Sequence, residues 1–492
     1  MLGQATSGRE RAVLALLTAA FVVLGLIFAL LTPLFANPDE SVHIDMARHY
    51  AAHPTDLAGP ELRQTAGVRG AVVAAGVLDA PAESPVGAIP EDRPDYGSFD
   101  DYGGRAEATV CPQRTCQNYH FIHPPAWYLL AAPAARVLDG RPFPATVVAL
   151  RTMNVLLASV IVVATWYLAR QLWPRRTRAA LVAAGAVAMC GPLAATAASA
   201  NNDGLLLPLM AVALAMMAGI LRNGATMGRS LVLGAVVTVG LLTKGQFLVI
   251  APIGLAAVLL APRDESSPPW WHSSLGYLGA GAAGGLWWLR IIIDTGSTTP
   301  SGSEFVADPR PGPWNDKGLV EYFVMRVGDI VDAVPGQYGY WPWKFAELPS
   351  PMLGAFHIGV GLLVLSWLVF RRWSTPTVAT ARVALLAAVP FLLLVAAVAS
   401  SWETYRETGY EYGLAGRYVY GGLPIVAVMA TAALLALKDR FRLPHASRLH
   451  VLVLLVSATA GAVTAVIVSM HSKYFTTDNA LLFDRAAIVA PV

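Results

Sequence analysis

Charge is scarce in this chain of 492 residues: 14% are Asp, Glu, Lys or Arg, against 55% hydrophobic. A soluble domain carries roughly a quarter charged residues, so composition excludes an ordinary soluble protein. The net charge of +3 is too small to imply a polyanionic partner, and no nucleic acid is expected. Cysteine is nearly absent, with three residues. Cys111 and Cys116, in "VCPQRTCQ", could form a small disulfide in an oxidising compartment, but no second pair completes a zinc site. Cys190 falls in an apolar run and reads as a small buried hydrophobe. Internal repeats and a low-complexity tail are also lacking.

Long apolar runs are plentiful, beginning with "AVLALLTAAFVVLGLIFALL". About 20 consecutive apolar residues make a membrane-spanning helix. Spans are predicted near 12–34, 145–170, 179–199, 204–221, 230–244, 246–261, 273–293, 352–370, 383–400, 417–437 and 449–470. The expected fold is therefore an all-α polytopic membrane protein of about eleven transmembrane helices. The first run is longer than a signal-peptide core and is expected to be retained. With the N-terminus in the cytoplasm, loops such as "RQLWPRRTR", "FRRWSTP" and "KDRFRLPHASR" fall inside, as the positive-inside rule requires. The opposite loops, 36–144, 294–351 and 401–416, are long, aromatic and acid-bearing. Within the first, "IHPPAWYLLAAPAARVL" is too short and proline-punctuated to span, and reads as a juxtamembrane helix at the outer surface.

Two acids follow the first span in "ANPDESVH". Asn37 as cap, Pro38 at the first helical position and Glu40 as a capping-box carboxylate make a strong helix start. Glu40 could thus be a cap or a catalytic group. Asp39 would also favour the helix dipole, yet Asp39 and His43 are four apart and share one helical face, which Met46 and Tyr50 continue. Other polar residues are expected at the same outer interface: Asn201, Asn202 and Asp203 in "ASANNDGLLL", Lys244 in "LLTKGQF", Arg417 and Tyr418 in "AGRYVYGGLP", and His120 and His123 in "NYHFIHPPAWY". Each alone could snorkel or cap a helix. Their convergence on one side makes them functional candidates. A carboxylate can take a proton from an attacking hydroxyl, and lysine and arginine can neutralise a departing phosphate. A lipid-linked phosphate would suit a membrane groove, so the set points to sugar transfer from a polyprenyl phosphate.

The stretches "NPDESVH", "HPPAWYLLAA", "LRTMNVLLASV", "SANNDGLL", "LTKGQFLVI", "PGQYGYWPWKFAELP" and "AGRYVYGGLP" together resemble bacterial membrane proteins grouped as a domain of unknown function (family 2142), themselves similar to the GT-C glycosyltransferases. The resemblance implies a GT-C-like bundle whose catalytic acid follows the first helix, where Asp39 stands. It further implies an inverting displacement, with the acid as base and a polyprenyl phosphate as leaving group. Lys244 and Arg417 are candidates for holding that phosphate. Histidine stands at 123 where several relatives carry lysine before the two prolines. No large soluble C-terminal domain is expected, so acceptor recognition falls to the loops, where Tyr340 in "QYGYWPW" offers a face for sugar stacking.

The expected protein is thus a multi-pass cell-membrane enzyme with its active site outside the cytoplasm. Its partners would be a polyprenyl-phosphate sugar, a cell-envelope glycan or glycolipid acceptor, and the bilayer. Asp39 and Glu40 are the catalytic candidates; His43, His123, Asn202, Asp203, Lys244, Tyr340, Arg417 and Tyr418 are substrate-binding candidates. Asp39, Glu40 and His43 could contribute to a divalent-metal site, but hard cations gather more oxygens than this spacing guarantees, and no cofactor is predicted. A flippase would place charges near the midplane and often show inverted repeats. A non-catalytic assembly scaffold would keep the fold without needing the base.

Overall fold

The computed structural model describes residues 7–32, 34–35, 37, 39–59, 62–74, 97–104, 118–263, 269–296, 318–326, 380–408 and 416–441. The expected spans at 352–370 and 449–470, Cys111, Cys116 and Tyr340 lie outside them. Among the described residues the chain is mainly helical, with an isolated strand-like bridge between Ser98 and Pro142.

Helix α1, Gly8–Leu31, starts at Ser7, whose hydroxyl accepts from the Glu10 amide. After the acid turn come α2 (Glu40–Ala52), α3 (Ala66–Ala74) and α4 (Ala126–Val137). Next are α5 (Phe143–Ala158), α6 (Val160–Leu172), α7 (Thr177–Ala188), α8 (Gly191–Ala197) and α9 (Asp203–Asn223). Helices α10 (Met227–Leu241), α11 (Phe247–Leu259), α12 (Trp270–Thr295), α13 (Leu319–Met325), α14 (Thr380–Ala387), α15 (Val389–Thr408) and α16 (Leu423–Phe441) complete the set.

Among the described residues, four helical stretches are long and apolar enough to cross a membrane: Gly8–Leu30, Phe143–Leu172, Asp203–Asn223 and Arg382–Arg406; the bent pair α7 and α8 makes a fifth if taken as one span. The chain is a helical membrane protein on this evidence. Four expected spans take a more irregular form. The one at 145–170 is divided between α5 and α6 at Ser159, whose hydroxyl turns back to the Leu156 carbonyl. That at 179–199 bends by 61° between α7 and α8, where Pro192 enters the first turn of α8 and has no amide hydrogen to donate. Those at 230–244 and 246–261 are helices of 15 and 13 residues, shorter than a 30 Å hydrocarbon core requires.

Among the described residues there are two large apolar cores and a small third cluster of Tyr322, Val398 and Tyr405. The larger is built from the long helices around α9, which packs on α5, α6, α10 and α11 and is buried along nearly its whole length. The smaller joins α2, α3 and α4 to the start of α5 through Phe35, Ile44, Tyr50, Tyr102, Trp127, Tyr128 and Phe143. Helix α4 covers α2 with Trp127, Tyr128, Ala131 and Ala135, while Leu129, Leu130 and Val137 remain exposed. Such a one-sided apolar helix is the form expected of the surface segment at 122–138.

Candidate active site

The polar residues gather where the two cores meet, beginning with the turn between α1 and α2. Phe35 and Asp39 both have φ of +59°, a region that side-chain-bearing residues seldom occupy. Asp39 stands at the N-cap position of α2, but its carboxylate makes no capping bond. The expected capping box therefore does not form. Asn37 instead donates through Nδ2 to Glu40 Oε1, at 3.3 Å, because the carboxylate of Glu40 is turned inward.

Arg151 explains that turn. Its guanidinium meets Glu40 in a bidentate pair, Nε to Oε1 at 2.7 Å and Nη2 to Oε2 at 2.6 Å, with both side chains fully buried. The remaining capacity of Glu40 is taken by the amides of Phe35, at 3.2 Å, and Ala200, at 3.0 Å. Arg151 Nη1 donates to the carbonyls of Ala29 and Thr32, at 3.0 and 2.6 Å, among the carbonyls that a helix end leaves unsatisfied. One buried ion pair thus ties α1, α2, α5 and the residue before the Asn201–Asp203 turn. The geometry gives Glu40 a bracing position and leaves Asp39 facing the other way.

Asp39 Oδ2 accepts from Arg417 Nη2 at 3.3 Å. Arg417, in the 3₁₀ segment Gly416–Gly422 before α16, also approaches Asp203 Oδ2, with Nε at 4.0 Å. Asp203 opens α9 and takes the Lys244 ammonium on its other oxygen at 2.6 Å. The result is an alternating chain, Asp39–Arg417–Asp203–Lys244, assembled from four separate elements. The Tyr418 ring lies 5.4 Å from the Arg417 guanidinium and 5.6 Å from Lys244 Nζ. Exposure separates the two acids: the Asp203 side chain is 4% accessible and Asp39 is 30%. Asp203 can orient the two cations, whereas Asp39 is the acid that can meet a substrate.

Asn202 is fully buried. Its Nδ2 donates to the Thr243 carbonyl at 3.3 Å, which couples the Asp203 turn to the loop carrying Lys244. The surface helix joins there too, as the Ala126 amide donates to the Leu242 carbonyl at 2.8 Å.

Beside the charged chain sits an aromatic group of three histidines. His43 and His120 have ring centres 4.0 Å apart, and His120 and His123 4.6 Å apart. His43 Nδ1 is 2.9 Å from the Tyr128 hydroxyl. Burial pushes the pKa of all three imidazoles well below 6.5; His120 then disfavours charge on His43 and His123, and Lys244 does so on all three. Asp39 and Asp203 partly offset this at His123. The group is neutral at pH 7 and presents uncharged donors and acceptors. Among the described residues, no group of three His, Cys, Asp or Glu side chains is arranged to hold a metal ion.

The structure therefore brings together Asp39, Asp203, Lys244, Arg417 and Tyr418, with His43 and His123 beside them and Asn202 behind; Tyr340 is not described. Three connecting residues were not singled out by sequence: Arg151, Asn154 and Asp45. The available signal for Arg151 and Asn154 was a charged and an amide residue inside the apolar run "LRTMNVLL". Asp45 had none, since it looks like any exposed helical acid. It is instead buried, accepting from the Thr65 amide and hydroxyl at 3.1 and 2.6 Å and from Asn118 Nδ2 at 3.0 Å. Burial raises its pKa while these bonds, the Thr65 hydroxyl's first, oppose the rise.

Residues 123–287, about a third of the chain, match the family model of dolichyl-phosphate-mannose-protein mannosyltransferases. The match begins at His123 and takes in Arg151, Asn154, Asp203 and Lys244. The matched segment is similar to that family, and the rest of the chain lies outside the match. Among solved structures, it is similar to ArnT from Cupriavidus metallidurans bound to undecaprenyl phosphate, at 15% identity and a TM-score of 0.47, over 96% of this chain and 77% of that one. It is also similar to the oligosaccharyltransferase AglB from Archaeoglobus fulgidus in complex with an inhibitory peptide and a dolichol-phosphate, at 12% identity and a TM-score of 0.46. There 95% of this chain is covered and 56% of the archaeal one, so the chain spans little more than half of that protein's length. No curated protein matches the sequence.

Proposed function

We propose that this protein transfers a sugar from a polyprenyl-phosphate donor to a cell-envelope glycan or glycolipid on the extracytoplasmic side of the membrane, with inversion at the anomeric carbon. The observation that carries the reading is one partly exposed carboxylate, Asp39, held by Arg417, with a buried carboxylate, Asp203, linking Arg417 to a second cation, Lys244. The mannosyltransferase match over residues 123–287 supports the same class of donor.

In this reading the acceptor hydroxyl oxygen attacks the anomeric carbon and its proton passes to Asp39. The bond from that carbon to the phosphate oxygen breaks, and its electron pair leaves with the phosphate. Lys244 and Arg417 neutralise the charge that develops there, in a site shielded enough for the attraction to matter. Asp203 keeps both cations in place between turnovers. The neutral histidines and Tyr128 offer hydrogen bonds to sugar or phosphate oxygens without adding charge.

The test is complementation of a gene deletion with wild type, Asp39→Asn or Glu40→Gln at matched membrane levels, reading the sugar linkages of the envelope glycans. Asp39→Asn is expected to lack the same linkage as the deletion. Full restoration by Asp39→Asn would show that Asp39 is not the base and would favour Glu40, transport or scaffolding.

A further inference from the structure

Asn154 lies one helical turn beyond Arg151 on α5, at 0% exposure. Its amide makes three hydrogen bonds. Oδ1 accepts from Trp127 Nε1 of the surface helix at 2.7 Å. Nδ2 donates to the Ser199 carbonyl at 2.6 Å and the Asn201 carbonyl at 2.7 Å. Those carbonyls belong to the turn that delivers Asp203, and Asn201 Oδ1 in turn accepts from the Asp203 amide at 3.0 Å. A residue in the middle of an apolar helix thus grips the backbone two and four positions before a site carboxylate. The grip is tight: a Cβ placed on Gly204 would stand 2.1 Å from the Asn154 amide carbon, so α9 approaches α5 closely only because residue 204 is glycine.

We infer that Asn154 is a positioning residue for the transfer reaction, fixing the Asp203 turn and through it the placement of Lys244 and Arg417. The inference rests on the donor-phosphate reading above. Arg151 and Asn154 share one face of α5, three residues apart. The first secures the turn carrying Asp39 through Glu40, and the second secures the turn carrying Asp203. A single rigid helix then sets the separation of the two carboxylates that Arg417 bridges. Trp127 extends the same template to α4, which borders the histidine group. A side-chain amide suits the task because it accepts from an indole and donates to two carbonyls at once. Aspartate, isosteric with it, can donate only when protonated.

The experiment uses full-length wild type, Asn154→Ala and Asn154→Asp, purified in lipid nanodiscs, with undecaprenyl phosphate as the probe. Folded fraction is checked by thermal unfolding, and lipid-phosphate binding is measured per folded protein. Losing the two donors is expected to weaken binding about tenfold in Asn154→Ala. Asn154→Asp is expected to bind weakly at pH 8 and to recover towards wild type at pH 5.5, where a protonated carboxyl restores one donor. A loss of packing alone would not produce that pH profile, and Asn154→Asp also serves if Asn154→Ala does not accumulate. Wild-type binding with both variants unchanged, or with Asn154→Asp weakened equally at both pH values, would overturn the inference and leave the donor reading standing. No binding by wild type would overturn the donor reading, and the inference with it.

Discussion

Asp39 occupies a left-handed backbone conformation that costs an ordinary side chain about 1 kcal/mol or more. Asparagine tolerates that conformation best among non-glycine residues. Asp39→Asn therefore removes the charge with little disturbance of the turn, and is expected to accumulate and insert as wild type does. Loss of a general base typically lowers the rate about 10²–10⁴-fold, which a transfer assay on membranes carrying the variant would read. Lys244 illustrates a different role. Its ammonium already pairs with a buried acid, so Lys244→Gln leaves Asp203 without its close partner and removes the phosphate contact proposed above. The expected result is donor affinity at least about tenfold weaker, measured by titration with the lipid phosphate. Asp203→Asn keeps both cations but removes the carboxylate that Lys244 and Arg417 share, and is expected to raise KM for the donor as well as lower kcat, since the cations lose their common anchor.

At the scale of elements, the fully buried Glu40–Arg151 pair joins four segments. Removing one partner of such a pair costs about 3–5 kcal/mol, because the other charge remains buried. Arg151→Leu or Glu40→Leu is expected to lower the membrane level of folded protein sharply, measured by detergent-resistant folded fraction. The double variant is expected to recover part of that level, since neither charge is then left alone. Asp45 plays a lesser version of this part in the loop region, where Asp45→Ala would leave Thr65 and Asn118 donors unpaired. The histidine group gives the same region a pH limit. All three pKa values are depressed below 6.5, so below that pH the unfolded chain binds protons that the native group refuses. These residues leave stability unchanged above about pH 7. As the pH falls below 6.5 they subtract up to about 1.4 kcal/mol per pH unit for each histidine, until the folded-state values are reached. Thermal unfolding between pH 8 and 5 would show the decline, and replacing the buried His120 with Gln is expected to reduce it.

For the molecule as a whole, the two cores divide the labour. The long helices around α9 form the membrane body, and α2, α3 and α4 form a cap rooted on α5. Under the positive-inside rule, arginine-rich connections such as that around Arg175 and Arg176 are expected on the side opposite Asp39. Reporter fusions after His53 and Asp139 are expected to score as extracytoplasmic, and fusions after Arg176 and Gly224 as cytoplasmic. The reverse pattern would place Asp39 where an outer-leaflet donor could not reach it.

Much of this organisation was legible in the sequence because hydrophobicity is a local property. Apolar runs of spanning length, arginine-rich connections and the two acids after the first run need no knowledge of distant contacts. The same reading identified Asp39, Asp203, Lys244 and Arg417 as residues of one interface. It erred at the capping box, since helix-start rules weigh neighbours in the chain, whereas Glu40 is drawn inward by Arg151, 111 positions away. It passed over Asn154 and Asp45 for the same reason: their partners are carbonyls and hydroxyls from other elements, which no spacing reveals. By itself, the sequence determined that the chain enters a membrane and which short stretches bring charged side chains to its edge, because burial in lipid depends on composition within one helix. Only the tertiary structure decided which acid faces the cations and which braces the fold, because that choice depends on partners that folding alone brings within hydrogen-bonding distance.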